Sequence, residues 1–148
     1  MRNETVDAVD AAAWEHFRHG ADIGIRGQGA TRNEAFEQAA VALTAIVTRP
    51  ARVRPLEAVT LHCQAGDDEF LFMDWINAVI FEMATRNMLF RRFEVTTTTG
   101  GLRATAWGEQ VDVARHHPAV EPKGATFTEL KVCQTPGGRW TAQCVVDV

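Results

Sequence analysis

At 148 residues, 46% of them hydrophobic, the chain is long enough for a sizeable core in one domain. Its net charge of −4 argues against stand-alone nucleic-acid binding, which leaves a basic footprint, and no apolar run approaches the roughly 20 residues that span a bilayer. The absence of serine removes serine-hydrolase chemistry, and Cys63, Cys133 and Cys144 lack the CxxC spacing of a zinc site.

Residues 1–13 carry Glu4, Asp7 and Asp10 and no apolar h-region, so they do not read as a secretory signal. They are expected to form a flexible leader on a single cytoplasmic domain spanning 14–148. Trp14 to Arg18 and Asp22 to Arg26 are short extended pieces; in the second, Ile23 and Ile25 share one face and Asp22 and Gly24 the other. Thr31-Arg32-Asn33-Glu34 is a capping box. The helix it opens carries Phe36, Ala39, Ala40, Leu43, Ile46 and Val47 at helical spacing and ends before Arg49-Pro50. Val59, Leu61 and Cys63 alternate with polar residues, as in a half-buried strand. Gly66-Asp67-Asp68 is a turn and N-cap. The second helix, about 69–87, has a broad apolar stripe of Phe70, Leu71, Trp75, Ile76, Val79, Ile80 and Met83, which predicts burial against a sheet with Trp75 as a core aromatic.

The remainder reads mostly as strand. Phe93 to Thr99 is β-branched, Gly100-Gly101 is a hairpin turn, and Leu102 to Trp107 returns. Residues 108–120 are irregular, with His116 and His117 read as exposed loop histidines. Ala125 to Cys133 is a strand, Pro136-Gly137-Gly138 a turn, and Trp140 to Val148 the last strand. Two helices among six or seven hairpin-joined strands predict an α+β domain. Its expected form is a two-layer sandwich, with a largely antiparallel or mixed sheet and the two main helices packed on one face.

Chemistry concentrates where the sequence stops. Cys144-Val145-Val146-Asp147-Val148 keeps an apolar pattern to its last residue, so an ordered terminus is expected. A carboxylate side chain, a backbone carbonyl and a terminal carboxylate then lie within two residues, and such hard oxygen donors suit Ca²⁺ or Mg²⁺. Asp22 is the best second acid, set between His19 and glycines at 20 and 24, where a backbone can approach a ligand closely. The simpler reading of either acid is a solvated strand-edge residue. His16 and His19 fall on opposite strand faces, which argues against a nitrogen-rich metal site; His19 either orients a neighbour or is a capped, partly buried imidazole. Gly24, Gly27 and Gly29 lack phosphate-loop spacing and no P-loop lysine follows. Nothing positions a base beside a cysteine. Cys133 and Cys144 flank one predicted hairpin, but two packed thiols are the simpler reading. Lys123 and Lys131 are the only lysines among many arginines, so Lys123 is either a specific choice or a compositional accident.

In their order, His19-Gly20-Ala21-Asp22-Ile23-Gly24-Ile25, the helix 33–47, Asp74-Trp75-Ile76-Asn77, Arg92-Phe93-Glu94-Val95, Gly108-Glu109, Lys123-Gly124-Ala125-Thr126-Phe127 and the closing Val145-Val146-Asp147-Val148 resemble the archease family. These are small partner proteins of RtcB-type RNA-splicing ligases. The resemblance runs from Trp14 to Val148 and implies an archease-like fold. It implies a divalent metal ion, Ca²⁺ first with Mg²⁺ or Mn²⁺ as alternatives, at Asp22, Asp147 and Val148, with Lys123 matching a basic functional residue and His19 as possible support. It implies an activator of an RtcB-type RNA ligase in tRNA splicing, promoting guanylylation and multiple turnover. Such a protein is not itself an enzyme, and neither direct sequence-specific nucleic-acid binding nor membrane association is expected. Two departures stand out: Gly20 where the family usually has threonine, and Gly124-Ala125-Thr126-Phe127-Thr128 where it often has Ala-Val-Thr-Tyr-His. The second removes a ring donor. The competing readings are a metal-dependent phosphoester hydrolase using the same acids with His19 as base, and a generic chaperone or scaffold without an essential metal.

Overall fold

Tight hairpins and two well-capped helices organise the chain. The computed structural model describes residues 11–148; of the leader expected over 1–13, residues 1–10 lie outside the described residues, and Ala13 already opens the first strand. Strands β1 (Ala13–His19) and β2 (Asp22–Gly29) form a hairpin. Gly20 has φ 60° at the first central position of its turn, the place a II′ turn reserves for glycine.

Helix α1 (Arg32–Val47) starts as expected, with Thr31 Oγ1 accepting from the Glu34 N–H at 3.1 Å. The Glu34 carboxylate reaches one residue further back than a capping box requires, to the Ala30 N–H at 3.0 Å. A single 3₁₀ turn (Pro50–Arg52) leads to β3 (Glu57–Gln64). Helix α2 (Asp68–Arg86) is capped by Asp67, which accepts from the Phe70 N–H at 2.8 Å, and ends at left-handed Asn87. Strand β4 (Met88–Thr98) follows at once and pairs with β5 (Gly101–Gln110). Their turn is Thr99-Gly100, one residue earlier than expected, because Gly101 pairs with Thr98 inside the sheet. A short helix α3 (Val113–His116) occupies the stretch expected to be irregular. The chain closes with β6 (Gly124–Ala125), β7 (Lys131–Gln134) and β8 (Trp140–Asp147).

Every strand pair is antiparallel, and the α+β class holds. The strands divide between two sheets, one ordered β1-β2-β8-β6 with β7 also on β8, the other β3-β5-β4. Helix α1 packs on strands of both sheets, and α2 packs on α1, β3 and β4 and reaches β6 and β7. The continuous strand expected from Ala125 to Cys133 is broken into β6 and β7. Between them Thr126 Oγ1 accepts from the Thr128 N–H and donates to the Val145 carbonyl, while Glu129 turns left-handed at φ 55°. Thr126, bonded locally to Thr128 and across to β8, thus replaces ladder pairing with side-chain bonds.

The core unites Phe36, Phe72, Trp75 and Phe90, all fully buried, with the inward face of β8 from Ala142 to Val146. Phe70 leaves the stripe assigned to it and is 52% exposed. It sits on the outward row of α2, because 70, 74, 77 and 81 recur at i, i+4, i+7 and i+11.

Helix α1 and β2 approach so closely that a Cβ on Gly27 would lie 2.0 Å from the Ala35 carbonyl oxygen and 2.3 Å from the Ala39 nitrogen. Both obstacles are backbone. Gly27→Ala is therefore expected to destabilise the fold by about 3 kcal/mol, the upper end for overpacking. A thermal melt should show a midpoint lower by about 5–10 °C; an unchanged midpoint would mean that helix and strand separate freely.

Candidate functional site

The ladder of the larger sheet explains why Asp22 and Asp147 are neighbours. Strands β2 and β8 run antiparallel with Ile23 opposite Val146, so one further step along the register sets Asp22 beside Asp147. The Val148 N–H reaches Asp22 Oδ1 at 3.4 Å. On the other edge of β8, Gly124 pairs with Asp147, and the Lys123 N–H donates to the Asp147 carbonyl at 2.8 Å. The β1–β2 turn puts His19 directly opposite Asp22. All five residues singled out from the sequence therefore gather at one end of one sheet. Asp22 and Val148 are half-buried, and His19, Lys123 and Asp147 are exposed.

Neither Asp22 nor Asp147 has an ion-pair partner among the described residues. Two carboxylates and the oxygens of Val148 make a hard, anionic donor set, which fits Ca²⁺, Mg²⁺ or Mn²⁺ better than a soft metal. No group of three or more His, Cys, Asp or Glu side chains that could hold a metal ion occurs among the described residues, so for any ion held here solvent or a partner would supply the remaining ligands. The Asp147 carbonyl already accepts from Lys123, which leaves it one lone pair. The His19 side chain makes no hydrogen bond among the described residues, so nothing there orients its ring as a base. The ring of His16 is engaged elsewhere, its Nε2–H donating to the Ala42 carbonyl at 2.8 Å.

The space above Gly24 was expected to admit a ligand, but a Cβ there would lie 2.3 Å from the Phe17 ring. Gly24 makes room for its cross-strand neighbour, and the Arg26 guanidinium stacks 4.7 Å from that ring.

The Cys63 and Cys144 thiols are not poised for chemistry. Burial pushes Cys63 up to about 11, with the Asp74 charge adding to it, and burial pushes Cys144 up to about 12. Both stay protonated at neutral pH. Cys133 pairs with Thr141 in the ladder, and all three cysteines are free.

Sequence reasoning missed a buried carboxylate. Glu109, 4% exposed, accepts at Oε1 from Arg54 Nε at 3.0 Å and Arg115 at 2.9 Å. At Oε2 it accepts from the Arg54 backbone N–H at 2.7 Å, Arg115 at 2.6 Å and His116 Nε2 at 3.0 Å. His116 was read as exposed and is fully buried; His117 is the exposed one. The Asp112 N–H donates to His116 Nδ1 at 2.9 Å, which leaves Nε2 to carry the ring proton toward Glu109. The signal available was Asp112 three residues before Arg115, a cap for the short helix that turns both side chains back onto β5. With its oxygens saturated, Glu109 anchors a loop and is not free to take a proton from a substrate.

Residues 14–148 match the model of the "Archease protein family (MTH1598/TM1083)". The chain is 36% identical over 139 residues to a protein of Pyrococcus abyssi named "Protein archease", covering 91% of this chain and 98% of that one. It is 30% identical over 145 residues to the protein of that name from Aeropyrum pernix, covering 95% and 100%. The solution structure of Methanobacterium thermoautotrophicum protein 1598 superimposes with a TM-score of 0.74 at 25% identity, over 92% of this chain and 99% of that one. No helix among the described residues is long and apolar enough to cross a membrane.

Proposed function

Because the chain belongs to the archease family, we propose that it is a cytoplasmic, metal-binding activator of an RtcB-type RNA ligase in tRNA splicing, promoting guanylylation and multiple turnover and performing no catalysis of its own. The observation that supports this reading is the meeting of Asp22, Asp147 and Val148 at one end of the sheet without a cationic partner among the described residues. Asp22, Asp147 and the Val148 oxygens would hold the ion, with Ca²⁺ the first choice and Mg²⁺ or Mn²⁺ close behind. A bound divalent ion supplies charge stabilisation for phosphate oxygens. Lys123, fixed beside Asp147 by its backbone hydrogen bond, offers a compact positive charge to a phosphate or to an acidic group of the partner. His19, opposite Asp22, closes the rim of the site. Because protein ligands are few, open positions face solvent and are available to the ligase.

Calorimetric titration with Ca²⁺ and Mn²⁺ tests the site. Asp22→Ala and Asp147→Ala should each weaken binding by more than about tenfold, since affinity follows the count of charged ligands. A peptide extension joined to Val148 should weaken it too, and an N-terminal one should not. Reconstitution with the ligase, GTP, a divalent ion and broken RNA tests the activity. Faster guanylylation and repeated turnover are expected from the wild type and not from the double aspartate variant. Phosphate release by this protein alone would replace the reading with a hydrolase, and stimulation surviving the loss of both aspartates would replace it with a scaffold.

A further inference from the structure

The outer side of α2 and the segment following β6 carry aromatic surface that the fold does not use. Phe70 is 52% exposed, Phe81 62% and Phe127 68%. Single exposed apolar residues are ordinary, but these are not scattered. Phe70 and Phe81 lie on the same outward row of α2 as Asp74 and Asn77. Phe127 folds against Phe70 edge-to-face, with ring centroids 6.0 Å apart. Between them Asn77 Oδ1 accepts from the Ala125 N–H at 2.9 Å, which locks β6 to the helix. The residue before Ala125 is Gly124, paired with Asp147, and the one before that is Lys123. The aromatic row is thus physically continuous with the end of the sheet where the acids meet. A separate cleft of about 320 Å³, lined by Ile80 and Met83 of α2 and by Pro118 and Val120 of the loop, is not lined by Phe81.

Charge around this row is predominantly acidic. Asp67, Glu69, Asp74, Glu121 and Glu129 are exposed within it or beside it in sequence, against Arg86, Lys123 and Lys131. That balance repels nucleic-acid phosphates and anionic lipid headgroups. It also disfavours a second copy of the chain, which would face acid with acid. What it fits is a protein surface whose apolar groups are framed by arginine and lysine.

We propose that the Phe70–Phe127 pair, with Phe81 on the same outward row, is the docking face for such a partner. Resting on the reading above, that partner is the ligase, and docking on this face presents Lys123 and the Asp22–Asp147 end of the sheet to it. Aromatic anchors of this kind carry a disproportionate share of interface energy. The acidic rim adds steering and salt sensitivity.

The test is the Phe70→Ala/Phe127→Ala double variant, titrated against the ligase by calorimetry in saturating Ca²⁺. Both side chains stand more than half in solvent, so the fold and the Ca²⁺ titration of the isolated protein should be unchanged. Affinity for the ligase should fall by at least about tenfold, and wild-type affinity should fall as salt is raised. Unaltered ligase affinity in the double variant would overturn the docking face and leave the activator reading standing. Failure of the wild type to bind or stimulate the ligase at all would overturn both. Self-association of the wild type that the double variant abolishes, with ligase affinity intact, would assign the face to a second copy and overturn this proposal.

Discussion

Trp75→Ala is expected to destabilise the domain by about 3–5 kcal/mol, a large part of the roughly 5–15 kcal/mol that holds a typical domain folded. Trp75 is fully buried, packs edge-on against Phe93 with centroids 5.9 Å apart, and donates from its indole nitrogen to the Phe36 carbonyl at 2.9 Å. One side chain therefore joins α2, α1 and β4. Truncation removes its dispersion contacts, leaves a cavity that rigid neighbours only partly fill, and strips a hydrogen bond from α1. Urea unfolding should show a lower midpoint with an unchanged slope, and the melting temperature should fall by about 10–15 °C. Trp75→Phe separates the two effects. It keeps most of the apolar volume and loses the N–H donor, so its cost should be about 1–2 kcal/mol. Equal costs for the two variants would show that the hydrogen bond, not the volume, is decisive.

Local signals carried the helices. Thr31 and Asp67 cap the two main helices through their own side chains, and such bonds need nothing from the rest of the fold. Asp22 and Asp147 were joined from donor chemistry and the family resemblance, and the β2–β8 register makes them neighbours. What escaped depends on contacts distant in sequence. Phe70 obeys the periodicity of α2 nearly as well as Leu71, and only the tertiary arrangement decides which row faces in. The break between β6 and β7 follows from Thr126 bonding to Val145, nineteen residues away. The division into two sheets depends on α1 packing on β2 and β4 together, a choice that no strand records in its own pattern. The glycine beside Asp22 looked like room for a ligand because the ring that fills it comes from the neighbouring strand. His116 seemed exposed because a His-His-Pro loop is usually solvated, whereas a four-residue helix capped by Asp112 turns this ring inward.

That inward turn leads to the second large effect. Glu109→Ala is expected to cost about 3 kcal/mol, because the buried Nε2–H of His116 and the Arg54 backbone N–H lose their acceptor, at about 1–3 kcal/mol for each buried donor left unpaired. The two arginines reach solvent and are rehydrated, so their loss adds little. The same carboxylate sets a pH dependence whose sign follows from its neighbours. The paired Arg115 guanidinium holds Glu109 well below its ordinary value of 4.5; burial opposes this, and hydrogen bonds from Arg54 and His116 reinforce it. A carboxyl depressed in the folded state binds fewer protons there than in the unfolded chain. Its stabilisation is therefore complete above pH 4.5 and is lost progressively as pH falls below that value toward the depressed one. Melting temperatures measured from pH 7 downward should hold level with respect to this group and then drop in the acid range. Glu109→Gln should start lower at pH 7 and show a shallower acid decline, since it has no proton to take up. Parallel acid limbs in the two proteins would remove Glu109 from the account of acid sensitivity and leave it a packing role alone.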